Sequence, residues 1–214
     1  MSHPYIHARA LASPRQRPAD AAEVFERDEA LVVVVADGRG GIRGGDAASR
    51  SMVAVVKSAV NDRAFAVSEV GVWIDLFRST DKALALEGTG ETTGVVVVLG
   101  LRGLFGVSIG DSEAWLVTAG EIDNLTVGQQ TRQRLGSGRV ALAAFERPSL
   151  AGVLVIATDG LFKFAAKEVI ARIVRASPIE TAAERLVELV RHPSGALADD
   201  VAVVLVARAK RGTP

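Results

Sequence analysis

The sequence predicts an α/β (α+β) domain built on antiparallel strands, and three observations carry that prediction. Five aliphatic residues in a row, Leu31 to Val35, lead into Ala36-Asp37-Gly38, and helix-like sequence follows. Between Gly94 and Thr126, four short strand-like runs are parted by glycine-containing turns, the pattern of an antiparallel meander. Segments with apolar residues at helical spacing lie both before and after those strands.

The 214 residues, 49% hydrophobic and 23% charged, suffice for a real core, and nothing in the composition marks a boundary, so one domain over 1–214 is expected. Lys plus Arg and Asp plus Glu number 25 each, so no net field favours nucleic acid or an anionic membrane. No apolar run approaches the roughly 20 residues that span a bilayer, and the N-terminus lacks the apolar centre of a secretory signal, which predicts a cytoplasmic protein. The absence of Cys excludes disulfides, thiol nucleophiles and Cys-ligated zinc. The histidines are His3, His7 and His192, too few and too scattered for a Ser-His-Asp triad or a His-rich metal site. Catalysis, if present, has to rest on carboxylates, Arg, hydroxyls and backbone.

In chain order, residues 1 to about 20 carry three prolines and read as an extended, loose arm or an edge segment. Leu31 to Ala36 shows no polar alternation, as in a strand buried on both faces. A glycine-rich turn leads into a helix from about Asp46, and residues 62 to 87 read as a second long helix around Phe65, Trp73 and Phe77. The four runs of the meander are Gly94 to Leu99, Gly103 to Ser108, Ala114 to Thr118 and Glu121 to Thr126. Val140 to Phe145 and Gly152 to Thr158 read as further strands, and Gly160 to Ala176 as one amphipathic helix. The next helix has a capping-box signature, with Ser177 as N-cap, Pro178 at the first helical position and Glu180 completing the box. "ADDVAVVLVARA" closes the chain as a strand entered from Asp199 and Asp200.

The chemistry is concentrated in carboxylates at strand ends. Asp37 and Asp159 each end a strand, Asp199 and Asp200 begin one, and Asp111 lies in a turn between two. Rigid strand ends suit the oxygen cage that Mg²⁺ or Mn²⁺ requires. An Asp-Gly pair after a strand also reads as a hairpin turn, but helix-like sequence follows both pairs where a hairpin needs a partner strand. Strand, glycine-rich loop and helix also describe a dinucleotide-binding turn, with Gly38, Gly40 and Gly44 as a loose G-x-G-x-x-x-G; Asp37 would then sit beside the pyrophosphate.

Five segments, in order across residues 31 to 206, resemble the metal-dependent type-2C (PPM) serine/threonine protein phosphatases. "VVVVADGRGGIRGGDAAS" is similar to that family's "ADGMGG…GE.AS", "ETTGVVVVL" to its "GTT" strand and "SIGDSEAWLV" to its "GDSRAYL" strand. "VLVIATDGL" is similar to "LLCSDGL", and "ADDVAVVLV" to the closing "DN.TVVVV" strand. The resemblance implies a four-layer αββα sandwich, two packed, mainly antiparallel sheets flanked by helices, with a binuclear Mn²⁺ or Mg²⁺ centre at one edge. It implies that Asp37 bridges both ions, that the carbonyl of Gly38 ligates one, and that Asp159 and Asp199 ligate the other. Asp111 falls at the position that helps to hold a third, weaker ion in bacterial members.

Upstream, "RQRPAD" matches the family's R-x-x-N-[E/Q]-D in part: Arg15 fits the phosphate-binding Arg and Asp20 the final, metal-binding acid, while Pro18 and Ala19 depart from it. The stretch from Thr126 to Val153 is too short for the flap of longer bacterial members. The implied activity is hydrolysis of a phosphate monoester by water activated at the two ions, which needs neither Cys nor His. The implied catalytic residues are Arg15, Asp37 and Asp159, with Arg39 and Arg43 as substitutes for Arg15. The implied partners are a phosphoprotein in a signalling pathway and a cognate Ser/Thr kinase or its targets. The altered upstream motif and the missing flap motivate an alternative, a catalytically silent module of the same fold. Trp73 and Trp115 are expected in the core or at an interface, Thr92 and Thr93 as supports of the site, and His192 as a helix C-terminal cap.

Overall fold

The computed structural model describes residues 3–39, 44–129 and 131–209. The chain begins with β1 (Tyr5–Ala12), then the hairpin β2 (Asp20–Arg27) and β3 (Ala30–Asp37), then α1 (Gly45–Asn61) and α2 (Val70–Glu87). Strands β4 (Gly94–Gly100), β5 (Gly103–Ile109), β6 (Glu113–Val117), β7 (Ile122–Asn124), β8 (Ala143–Arg147) and β9 (Val153–Ala157) follow. The chain ends with α3 (Asp159–Phe162), α4 (Lys167–Ala176), α5 (Ile179–Leu189) and β10 (Val201–Arg208). Two five-stranded sheets result, ordered β1-β10-β9-β6-β7 and β2-β3-β4-β5-β8, and every neighbouring pair of strands is antiparallel.

The aliphatic runs are continuous because both faces of each sheet are covered. Leu31, Val33 and Val35 of β3 pack between the sheets with Val204, Val206 and Ile156, while Val32, Val34 and Ala36 pack under α1 and α2 against Met52, Trp73 and Phe77. Likewise Val201, Val203 and Leu205 of β10 face α4 and α5, and Ala202, Val204 and Val206 face the other sheet. The result is the αββα order of layers. Trp73 and Trp115 are buried core residues, and the Trp73 Nε1–H donates to the carbonyl of Val67 at 2.9 Å. Among the described residues no helix is long and apolar enough to cross a membrane.

Several sequence expectations are corrected. Of the two readings of the N-terminal segment the edge segment holds and the loose arm does not: β1 is an edge strand paired with β10 over its whole length, from Tyr5↔Arg208 to Ala12↔Val201. The second helix starts at Val70 rather than near residue 62, because Asp62 leaves α1 in an extended conformation and its Oδ1 accepts the Ala64 N–H in a turn. The meander is two hairpins, β4–β5 in one sheet and β6–β7 in the other, with Gly110 at φ +99° where the chain crosses over. The single helix at 160–176 is split into α3 and α4, with Ala166 as the N-cap of α4. The capping box does not form: Pro178 is the N-cap of α5, and the Ser177 hydroxyl accepts from Arg185 instead. His192 lies beyond Val190, the C-cap of α5, and its Nδ1 accepts the N–H of Ser194 in the following turn. The dinucleotide reading fails as well, because β3 is flanked by antiparallel neighbours and forms no parallel βαβ unit.

Candidate metal centre

Strand register assembles the carboxylates at one edge of the sandwich. In the β2–β3 ladder Asp20 stands opposite Asp37. In the other sheet, Thr158 follows β9 and is tied to β10 by its N–H to the carbonyl of Ala202 and by the Ala202 N–H to its Oγ1, both at 3.0 Å. That tie places Asp159, first residue of α3, beside Asp199 and Asp200 at the entry to β10. Asp111 arrives on the β5–β6 crossover. Asp37, Asp111 and Asp159 each offer a carboxylate oxygen within 4.8 Å of the other two. Asp199 lies outside that mutual set, yet close enough for its charge to raise the pKa of both Asp37 and Asp159.

The backbone around Asp37 is held tightly. Its N–H donates to Thr93 Oγ1 at 2.8 Å, and its carbonyl accepts from the Thr93 N–H and the Thr92 hydroxyl. Thr93 Oγ1 also shares a 2.7 Å hydrogen bond with Ser112, and Thr92, Thr93 and Ser112 are fully buried. Thr92 and Thr93 therefore support the site as expected. Gly38 has to be glycine: a Cβ there would lie 2.0 Å from the carbonyl oxygen of Gly45 and 2.9 Å from that of Ala19. Its N–H donates to Ala19, which joins the upstream motif to the strand end.

The electrostatics are strained by design of the fold, since burial opposes ionisation and the neighbours are anions. Burial, then the charge of Asp159, pushes Asp37 up to about 7. Burial, then Asp37, raises Asp20 well above the usual carboxylate range, and Asp20 Oδ2 is buried without a hydrogen-bond partner among the described residues. Burial also raises Asp159, opposed by Lys163, whose ammonium contacts Asp159 Oδ2 one helical turn on. A cluster of buried and half-buried carboxylates, one with an orphaned oxygen, suits a hard divalent ion.

No protein-family model and no curated protein sequence matches this chain. Solved structures do. A serine/threonine phosphatase of S. agalactiae superposes with a TM-score of 0.83 at 21% identity, covering 96% of this chain and 100% of that one. The fold is that of the bacterial serine/threonine phosphatases. Stp1 from Staphylococcus aureus gives a TM-score of 0.78 at 18% identity, over 96% of this chain and 95% of its own. The catalytic domain of the phosphatase PstP, solved in complex with 2 manganese ions, gives 0.75 at 21%, over 96% and 99%.

Within this phosphatase fold, the residues expected at the site fall into two groups. Asp20, Asp37, Gly38, Asp111, Asp159 and Asp199 gather at the sheet edge, whereas Arg15 is turned onto acids: it bonds Asp200 at 2.7 Å and Asp199 at 3.1 Å. Arg39 pairs with Glu91 at 2.7 Å, and Arg43 lies outside the described residues. Sequence reasoning missed Arg134, whose Nη2 lies 2.8 Å from both oxygens of Asp111, and the part played by Asp200, which binds Ser13, Arg15 and the Ala19 N–H. Arg134 has no local signal, being far from Asp111 in the chain. Lys163 was missed too, although its i+4 spacing from Asp159 is a signal that could have found it.

Proposed function

We propose that the chain is a metal-dependent serine/threonine phosphoprotein phosphatase using Mn²⁺ or Mg²⁺. The observation that carries this is the convergence of Asp37, Asp111 and Asp159 within 4.8 Å at the strand edge of a phosphatase fold. The ligands we assign are Asp20, Asp37, Asp159, Asp199 and the carbonyl of Gly38. Bound divalent ions would supply Lewis acidity and a water made nucleophilic near neutral pH. The chain's part is to hold Asp37 rigid through Thr92 and Thr93, and to keep a dense acid cluster at a rigid edge. Arg15, half-exposed, can turn its planar fork from Asp199 to phosphoryl oxygens while Asp200 keeps hold of the other nitrogen. The substrate class we assign is a signalling phosphoprotein; PppA, which shares the fold, is described as a key regulatory component of T6SS in Pseudomonas aeruginosa.

The test is hydrolysis of p-nitrophenyl phosphate and of a phosphothreonine peptide, with and without Mn²⁺ and chelator, by the native chain and Asp159→Ala. Turnover that needs Mn²⁺ and is lost in the variant supports the assignment; absent turnover, or turnover indifferent to both, sinks it. One observation favours a second reading, a catalytically silent module: Arg15 is engaged by two acids, and Ala19 offers only backbone to its surroundings. Metal binding without turnover in the same assay is its signature.

A further inference from the structure

The acids at this edge are not alike in how their charge is balanced. Asp199 and Asp200 share Arg15, Asp111 has Arg134, and Asp159 has Lys163. Asp20 and Asp37 have no side-chain cation among the described residues.

Arg134 is firmly placed. Its Nη2 meets both oxygens of Asp111, and its Nη1 donates to the carbonyls of Thr131 and Gln133 at 2.6 and 3.1 Å, so two nitrogens of the fork are committed. The loop that carries it is stitched across the site. Leu135 exchanges two backbone hydrogen bonds with Thr92, which itself bonds Asp37, and Gly136 and Gly138 donate to the buried carboxylate of Asp81. Gln129 donates to the carbonyl of Ser112, next to Asp111. The Arg134 side chain is 16% exposed, against 54% for Lys163, so Arg134 is the fixed cation and Lys163 the movable one.

We infer that Arg134, fixed on Asp111 and with the movable Lys163 beside it, is a built-in counter-cation that excludes a further ion between Asp111 and Asp159 and leaves metal uptake to the ligands assigned above. The physical reason is Coulombic: a dication brought to Asp111 and Asp159 must displace a guanidinium nitrogen held by both oxygens of Asp111 and an ammonium, or face both at short range. Among the described residues Asp20 and Asp37 have no such cation in the way. The inference rests on the metal reading of the site and refines it, because it says which acids are left for the metal. It departs from the sequence expectation that Asp111 helps to hold a third ion.

Counting Mn²⁺ bound per full-length chain, by equilibrium dialysis with metal analysis and by calorimetry, tests it. The variants are Arg134→Gln, Lys163→Gln, the double variant, Lys163→Arg and Asp111→Asn. The double variant is expected to bind at least one ion more than the native chain, with an apparent affinity for the extra ion raised at least about tenfold over any weak uptake by the native chain. Lys163→Arg keeps the native count, and so does Asp111→Asn, which tests the inference even if the double variant does not fold. An unchanged count and affinity in the double variant, or a lower count in Asp111→Asn, overturns the inference and leaves the metal reading standing. No Mn²⁺ uptake by the native chain overturns both.

Discussion

Asp20 and Asp37 face each other across the β2–β3 ladder, two carboxylates at one sheet edge with no side-chain cation of their own among the described residues. Burial and then Asp37 hold Asp20 above the usual carboxylate range, burial and then Asp159 do the same to Asp37, and the first prediction follows.

Burial and the neighbouring anions hold Asp37 at about 7, above its ordinary 3.8, and shift Asp20 in the same direction. The native chain therefore retains protons that the unfolded chain releases between about pH 4 and 7. With chelator present, stability should fall as pH rises through that window, by at most about 1.4 kcal/mol per pH unit for each proton. Urea unfolding at pH 5 and 7 checks this. Excess Mn²⁺ should remove the fall, and Asp20→Asn should shrink it; a chelated chain that gains stability between pH 5 and 7 contradicts it.

Asp200 anchors the segment that leads into β2. Its carboxylate, 2% exposed as a residue, accepts the Ala19 N–H and an Arg15 nitrogen, both at 2.7 Å, and the Ser13 hydroxyl. Asp200→Ala strands the Ala19 N–H and should cost about 2–3 kcal/mol, below the roughly 3–5 of a fully buried broken pair because Arg15 can reach water. Chemical denaturation gives the cost, and amide exchange at Ala19 should speed up far more than exchange in α5.

Gly38→Ala should cost about 3 kcal/mol, since its methyl group overlaps the backbone of Gly45 and Ala19 rather than a side chain that could move. The same substitution should abolish Mn²⁺-induced thermal stabilisation, because the turn holding Asp37 has to open. A Gly38→Ala chain with native melting temperature and native Mn²⁺ response would show that the turn relaxes freely.

Thr93→Val keeps the shape but removes the acceptor for the Asp37 N–H and the bond to Ser112. A loss of about 1–3 kcal/mol is expected, with Thr93→Ser retaining most of the native stability. Mn²⁺ affinity should fall in the Val variant and recover in the Ser variant, which separates loss of the hydrogen bonds from loss of the methyl group.

Much of this edge was legible in the residues. Asp37 and Asp159 stood out because an aliphatic strand ends in Asp-Gly and helix-like sequence follows, and Thr92 and Thr93 because they border a strand beside it. Strand β2 was missed: it contains Glu23 and Arg27 on partly covered positions and Glu26 on an exposed one, so its apolar signal is weak, and pairing with β3 rather than its own composition makes it a strand. The start of α2 was misjudged because Val67, buried, and Phe65, partly buried, pack on the core like helical residues while lying in a turn. Arg134 was invisible because no local spacing relates it to Asp111; only the loop stitched to Thr92 and Asp81 brings them together.

The sequence by itself determined the α+β class, the doubly covered strands and the acids at their ends, because burial and strand termination are written in local patterns of apolar and charged residues. Which sheet each hairpin joins, and which acid meets which cation, was decided by the tertiary structure alone. Charge pairing depends on distances across strand register and loop crossings, and those distances exist only once both sheets have closed on their common core.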